Sequence, residues 1–130
     1  MRFAAEVSRI PACRRWAVNL ARAEGASEHA LRLVALLTTE AVTNAVRHGP
    51  PGGEVRLDLR RDGDAVRVMV RDASPSLPVV QRVPPTAQGG RGVMLIDTLA
   101  EAWGVERGPD GTKSVWFLVP LAADAARPDA

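Results

Sequence analysis

Residues 40–48 read Glu-Ala-Val-Thr-Asn-Ala-Val-Arg-His, and the interpretation of the whole chain starts from them. Within this stretch Glu40, Asn44 and His48 recur at every fourth position. A helix turns by about 100° per residue, so each step of four drifts by only about 40°. The three side chains are therefore predicted to line one narrow strip of a helix. A carboxylate base beside an oxygen ligand for Mg²⁺ is typical of hydrolytic or phosphoryl-transfer sites.

The helix that carries this strip is predicted to span residues 28–48. Ser27 is a favourable N-cap residue, and the Gly-Pro-Pro-Gly-Gly run at 49–53 ends the helix. The polar strip is expected to emerge at the edge of a core, where a pocket would lie. The opposite face of the helix is apolar and predicts burial through Leu31, Val34, Ala35, Val42 and Ala45.

The remaining chain predicts a short strand within residues 2–7, a helix between Pro11 and Gly25, and further strands and one more helix. The later elements are strands at 55–60 and 66–71, a long loop at 73–91, a helix at 93–100, and strands at 103–105 and 113–119. The predicted fold class is α/β (α+β): a two-layer sandwich. In it, a mixed, mostly antiparallel sheet of four or five strands carries three helices on one face.

Length and composition narrow the function classes. The 130 residues predict one domain over 1–121 and a disordered tail over 122–130. No apolar run is long enough to span a bilayer and no signal-peptide core is present, so no membrane association is expected. The single cysteine, Cys13, predicts a buried thiol in a reducing cytoplasm. A net charge of only +2 without a long basic stripe argues against direct nucleic-acid binding.

Three further segments carry candidate chemistry. Asp72, near Ser74 at a predicted strand end, offers a carboxylate that can accept a hydrogen bond from an exocyclic amine such as that of adenine. Gly90, Arg91 and Gly92 precede a helix, and exposed backbone N–H groups at a helix N-terminus suit phosphate. Arg91 would add a charge-assisted contact. Thr112, just before the last strand, offers a hydroxyl to a base pocket.

Each of the four segments also fits a plainer interpretation when it is taken alone. Glu40 and its neighbours fit a solvated helix face, and Asp72 fits an Asx-turn that ends a strand. The glycines fit a flexible hinge, and Thr112 fits a hairpin turn. The glycine segment is neither a Walker A loop nor a Rossmann fingerprint, because it lacks both the Gly-Lys-Ser/Thr sequence and the position after a first βαβ strand.

The order of the four segments resembles the GHKL ATPase family, the Bergerat fold. Its most specific element is the N-box, here the Glu-x3-Asn-x3-His pattern of residues 40–48. The sequence of this stretch and the small size of the chain resemble those of the stand-alone anti-sigma-factor serine/threonine kinases of bacteria. The Gly-Gly-Arg-Gly-Val-Met-Leu-Ile run at 89–96 and the Val-Trp-Phe strand at 115–117 fit the same branch.

This resemblance implies ATP and Mg²⁺ as cofactors. Asn44 would ligate Mg²⁺, Glu40 would act as general base, and His48 would lie near the phosphates or near the lid, roughly residues 76–91. The other implied binding positions are Asp72 for the adenine amino group, Gly90, Arg91 and Gly92 for the phosphates, and Thr112 for the adenine pocket. The chain departs from the family at Ser74, where the usual motif has glycine, and serine adds both bulk and a hydroxyl near the base.

The resemblance implies an ATP-dependent kinase that phosphorylates a STAS-type anti-anti-sigma protein and sequesters a sigma factor. The sheet face without helices is expected to serve a partner or a second copy of the chain as a homodimer surface. Three alternatives remain open from the sequence. They are a non-catalytic ATP-binding anti-sigma module, a histidine-kinase-type ATPase domain acting in trans, and an interaction domain without a nucleotide.

Overall fold

The structure is a computed structural model that describes residues 1–73 and 91–124, with side chains from Leu95 onward in the second range. These described residues form five strands, three α-helices and one turn of 3-10 helix at Val7–Arg9. The strands are β1 (Arg2–Ala4), β2 (Glu54–Asp62), β3 (Ala65–Asp72), β4 (Ala102–Arg107) and β5 (Lys113–Pro120), and the helices are α1 (Ile10–Ala23), α2 (Glu28–His48) and α3 (Arg91–Leu99).

The five strands form one sheet in the order β1-β2-β3-β5-β4. All four neighbouring pairs are antiparallel. β2 and β3 form a hairpin whose turn contains Gly63 at φ 64°, a left-handed conformation that glycine adopts without strain. The last strand, β5, lies between β3 and β4, so the centre of the sheet joins residues that are far apart in the chain.

The sheet buries one face against the helices, and no helix within residues 1–73 and 91–124 covers the other face. In β3 and β5, alternate residues are buried, from Val66 to Val70 and from Val115 to Val119. They pack with buried residues of α1 and α2 into a single hydrophobic cluster. The predicted two-layer sandwich, with three helices on one face of the sheet, is therefore confirmed.

Helix α2 runs along the sandwich from one end of the sheet to the other. Ser27 caps its N-terminus, since the Ser27 hydroxyl accepts a hydrogen bond from Ala30 N–H at 3.1 Å. The backbone N–H of Ser27 also donates to the Leu121 carbonyl at 2.8 Å, just beyond the end of β5. At the other end of α2, Gly49 lies beside Asp72, the last residue of β3. Helix α2 therefore points its C-terminus toward the end of the sheet at which β3 finishes and β5 begins.

The structure corrects two predicted boundaries. The first strand is Arg2–Ala4, shorter than the predicted 2–7, because a hydrogen bond from Arg9 N–H to the Glu6 carbonyl closes a helical turn there. Helix α3 begins at Arg91, before the predicted start at 93. Residues 74–90 of the predicted loop and residues 125–130 of the predicted tail lie outside the described residues.

Cys13 is fully buried in α1, as predicted, and burial raises the pKa of its thiol from the ordinary value of 9.0. In the described part of the chain, no helix is long and apolar enough to cross a membrane.

Candidate functional site

The polar strip of α2 lies at the border of the core. Glu40 and Asn44 are half-buried, whereas His48, on the last turn, is exposed. Ala41 and Ala45, the next residues along the helix, are both buried. The first two side chains of the predicted strip thus lie partly shielded from water, where electrostatic interactions are stronger than on an open surface.

The two other helices lie on opposite sides of α2. Helix α1 packs against α2 and β2, and Arg14 Nη1 donates to Thr39 Oγ1 at 3.5 Å. Helix α3 packs against α2 and β4, and β4 is the edge strand at the opposite edge of the sheet from β1 and β2. Glu40 and Asn44 are rotated from Thr39 by about 100° and about 140° around the helix. The strip therefore faces away from α1, toward the flank of α2 on which α3 lies.

Helix α3 points its N-terminus toward the end of the sheet at which β3 finishes and β5 begins, as the C-terminus of α2 does. Just after its C-terminus, the backbone N–H of Glu101 donates to the Leu118 carbonyl at 3.0 Å, near the end of β5. Because α3 packs along α2, its first residue, Arg91, lies toward the opposite end, where Asp72 is found. The unpaired N–H groups and the dipole of a helix N-terminus favour an anion at this position.

Asp72 lies where the C-terminus of α2 meets the end of β3. Its side chain is almost entirely buried, with 3% exposure. A Cβ built on Gly49 would lie 3.7 Å from Asp72 Cβ and only 2.8 Å from the Ala45 carbonyl oxygen. The tight contact is with the Ala45 carbonyl in the last turn of α2, whereas the distance to Asp72 is an ordinary van der Waals contact. The structure thus places the end of α2 beside Asp72 and directs the N-terminus of α3 toward the same end of the sheet, whereas their joint contact with a nucleotide stays a prediction.

Lys113 is the residue at this site that the sequence reasoning did not single out. It pairs with Asp72 across β3 and β5, and its Nζ lies 3.7 Å from Asp72 Oδ2. Only 1% of Lys113 is exposed. The sequence did indicate that Lys113 faces the core. Alternate residues of a strand share a face, and Lys113 is two residues from Val115 and four from Phe117, which are both buried.

Thr112 lies at this end as well, but its hydroxyl belongs to the turn between β4 and β5. It donates to Asp110 Oδ1 at 2.6 Å, and the Thr112 backbone N–H donates to the same oxygen at 3.1 Å. These hydrogen bonds, first from the hydroxyl and then from the backbone, lower the pKa of Asp110 from its ordinary 3.8. The role of Thr112 in a base pocket stays a prediction, and its hydroxyl oxygen retains the capacity to accept a hydrogen bond.

The comparison with known families decides what kind of domain this is. The profile of the histidine kinase-like ATPase domain family matches residues 3–116, which include every strand and helix of the sandwich in whole or in part. The chain belongs to this family. The sequence-based recognition of a GHKL-type ATPase domain is therefore confirmed, at the level of the family and not of its anti-sigma branch.

Two individual proteins are similar to this chain, one in sequence and one in fold. The ATPase domain is 38% identical over 76 residues to an uncharacterized protein of Streptomyces coelicolor, a match that covers 55% of this chain and 71% of that protein. Its fold matches the mycobacterial sensor histidine kinase MprB with a TM-score of 0.55 and 19% identity. That structural match covers 67% of this chain and 69% of the other chain, and at this identity it shows the fold alone.

A cavity of about 350 Å³ opens at the end of the ATPase domain that carries Asp72 and Thr112, but it is not the space between α2 and α3. Arg56 and Arg71, which belong to the sheet face without helices, line it, whereas Glu40 and Asn44 do not. The cavity and the polar strip are therefore separate features. The full lining consists of Arg2, Glu54, Arg56, Arg71, Asp72, Ala73, Asp110 and Thr112.

Some predicted binding positions lie outside the described residues. Ser74 and Gly90 belong to the segment that the structure does not describe, and for Arg91 and Gly92 only the helical backbone is described. Their predicted contacts with phosphate and base stay predictions. The described backbone nevertheless places Arg91 and Gly92 in the first turn of α3.

The residues present fit a magnesium ion that arrives with a nucleotide. Among residues 1–73 and 91–124, no group of three or more His, Cys, Asp or Glu side chains can hold a metal ion. Mg²⁺ commonly takes one or two protein oxygens and completes its shell with water and substrate phosphates. The half-buried amide of Asn44, one turn from Glu40, supplies such an oxygen. Asn44 would therefore hold the metal only together with phosphate oxygens.

Proposed function

We propose that this ATPase domain is an ATP-dependent serine/threonine protein kinase of the anti-sigma-factor type. The observation that carries the proposal is the convergence of three elements at one end of the sandwich. These are the half-buried strip with Glu40 and Asn44, the buried carboxylate of Asp72, and the N-terminus of α3. A carboxylate base, an oxygen ligand for Mg²⁺, an acceptor for a base amine and an anion-binding helix end are the parts that phosphoryl transfer from ATP requires.

In the proposed reaction, the hydroxyl oxygen of a serine or threonine attacks the γ-phosphorus of ATP. The bond between that phosphorus and the β–γ bridging oxygen breaks, ADP leaves, and the hydroxyl proton passes to Glu40. Asn44 would orient the phosphates through Mg²⁺, which neutralises their charge when it is bound. Positioning and electrostatic stabilisation account for most of the rate enhancement in such sites.

The proposed protein substrate is a STAS-type anti-anti-sigma protein, and the proposed second partner is a sigma factor that the domain sequesters. The support for this choice is the resemblance of residues 40–48 and 89–96 to the stand-alone anti-sigma-factor kinases. The location proposed for this activity is the cytoplasm.

Nucleotide binding is tested by thermal unfolding with and without ATP and Mg²⁺. A ligand that binds only the folded state raises the melting temperature, by about 5–10 °C at a hundredfold excess over Kd. We expect Asn44→Ala to abolish the Mg²⁺-dependent part of this shift. Asn19→Ala, on the exposed face of α1, is the matched control and should retain the full shift. No shift at millimolar ATP in the wild-type domain would contradict the proposal and favour an interaction domain without a nucleotide.

Phosphoryl transfer is tested with labelled ATP and candidate STAS proteins, with phosphoserine or phosphothreonine as the readout. Glu40→Gln is expected to keep ATP binding and to reduce transfer by about 100-fold or more. Glu101→Gln, at an exposed carboxylate, is the control and should leave transfer unchanged. ATP binding without transfer to any STAS protein would favour the non-catalytic anti-sigma module instead.

A further inference from the structure

We propose that Lys113 is a positioning residue that makes Asp72 selective for the amino group of adenine. This inference rests on the proposed binding of ATP. It concerns how the site distinguishes one purine from another, and Lys113 acts through the Asp72 carboxylate rather than on the nucleotide.

The burial of the two charges is the first argument. Lys113 is 1% exposed and Asp72 is 3% exposed, and lysine and aspartate are seldom buried to this extent unless they are paired. A buried carboxylate without a cation would attract a cationic ligand or take up a proton. Because the Lys113 ammonium lies beside it and balances its charge, the Asp72 carboxylate can accept a hydrogen bond from a neutral N–H group.

The geometry of the pair is the second argument. The distance of 3.7 Å between Lys113 Nζ and Asp72 Oδ2 is a charge contact, longer than a hydrogen bond. The lysine therefore balances the carboxylate without itself hydrogen-bonding Oδ2. The cross-strand register of β3 and β5 fixes the two backbones, and Gly49, at the end of α2, lies beside Asp72.

These properties have a consequence for base selection. An ionised carboxylate only accepts hydrogen bonds, so it suits the exocyclic amine of adenine and repels the carbonyl oxygen that hypoxanthine carries at the same position. A site built to receive one donor strongly disfavours an analogue that lacks it. Without Lys113, the Asp72 carboxylate would lose the cation that balances and positions it, and with it this preference.

The test compares the Kd values of MgATP and MgITP by titration calorimetry in wild type, Lys113→Met and Lys113→Arg. We expect Lys113→Met to weaken ATP binding by about 10- to 100-fold and ITP binding by less than about threefold, so that the ATP:ITP preference collapses. Lys113→Arg keeps the cation and should retain most of the preference. An equal loss for both nucleotides, or an unchanged preference, would overturn the inference.

A double variant keeps the test decisive if the single variant does not fold. Asp72→Asn combined with Lys113→Met removes both buried charges together, and a neutral replacement of a buried pair is usually tolerated better than the loss of one partner. Its ATP:ITP preference should equal that of Asp72→Asn alone. A further loss in the double variant would show that Lys113 acts on the base directly and would contradict the positioning role. If the wild-type domain binds ATP but Lys113→Met leaves the ATP:ITP preference unchanged, only the inference about Lys113 fails. If the wild-type domain binds no ATP, the proposed function fails as well.

Discussion

At the residue scale, two aspartates at the same end of the sheet differ in environment. Asp72 is buried and lies beside the ammonium group of Lys113. Asp110 is exposed, and its carboxylate accepts hydrogen bonds from the hydroxyl and the backbone N–H of Thr112. The first carboxylate is suited to a ligand, because it is held in a shielded position, whereas the second stabilises the turn that leads into β5.

Replacing Thr112 by valine tests this assignment of Asp110. The largest cause of the lowered Asp110 pKa is the Thr112 hydroxyl, so we expect Thr112→Val to raise that pKa toward the ordinary 3.8. A lowered pKa in the folded state stabilises the domain above pH 3.8, and this contribution is lost as the pH falls through the lowered value. Wild type and Thr112→Val should therefore converge in stability at acidic pH.

The measurement is an NMR titration of the Asp110 carboxyl carbon. Thr112→Ser retains a hydroxyl and should preserve the low pKa. An unchanged titration curve in Thr112→Val would show that the hydroxyl does not set the pKa of Asp110 and would contradict its assignment to the turn.

At the element scale, α2 connects the hydrophobic core to the site, and both of its ends are fixed by specific contacts. Its N-terminus is capped by Ser27, whose hydroxyl also donates to the Ala123 carbonyl at 2.6 Å. Its C-terminus ends at Gly49 against Asp72. The position of Glu40 and Asn44 therefore depends on both contacts.

Loss of the cap is expected to lower the free energy of unfolding. Ser27→Ala removes the acceptor for Ala30 N–H and the donor to Ala123, and loss of an N-cap costs about 0.5–2 kcal/mol. Urea unfolding should show a lower midpoint with an unchanged m-value. Ser8→Ala, at an exposed serine in the 3-10 turn, is the control. Equal midpoints for Ser27→Ala and wild type would mean that the cap does not stabilise α2.

A methyl group at Gly49 is expected to affect both stability and binding. Its Cβ would lie 2.8 Å from the Ala45 carbonyl oxygen, so Gly49 must shift relative to the last turn of α2, beside Asp72. Such overpacking costs about 1–3 kcal/mol, and we expect ATP affinity to fall as well. Pro51→Ala, at an exposed position in the same connection, should change neither quantity. If Gly49→Ala binds ATP as tightly as wild type, the contact between α2 and β3 does not position the nucleotide site.

At the scale of the whole molecule, local patterns in the sequence predicted most of the architecture. The predicted helix 28–48 has the observed bounds of α2, and the predicted N-cap, Ser27, makes the expected hydrogen bond. These features depend on neighbouring residues alone, because capping and helical periodicity act over a few positions. The sandwich followed from the apolar faces of these elements.

Features that depend on distant parts of the chain were less accessible. The insertion of β5 between β3 and β4 pairs Asp72 with Lys113, and the ion pair between them follows from that register. The pattern of β5 indicated that Lys113 faces inward, but its partner was defined only once the strand order was known. The hydroxyl of Thr112 is the opposite case, because its partner, Asp110, lies two residues away in the turn before β5.

The placement of the site at one end of the sandwich leads to a prediction for the whole domain. We expect MgATP to slow hydrogen exchange of amides that open locally in residues 40–50, 71–73, 91–95 and 112–114. The reason is that the bound nucleotide would contact that end alone. The hairpin between β2 and β3 lies at the opposite end, where Leu121 N–H donates to the Asp64 carbonyl, and the exchange rates of its locally opening amides should not change.

Amides that exchange only through global unfolding are the internal reference, because ligand binding slows all of them equally. Mass spectrometry with and without MgATP makes the comparison, and protection centred on the hairpin would place the nucleotide at the wrong end of the molecule for this mechanism.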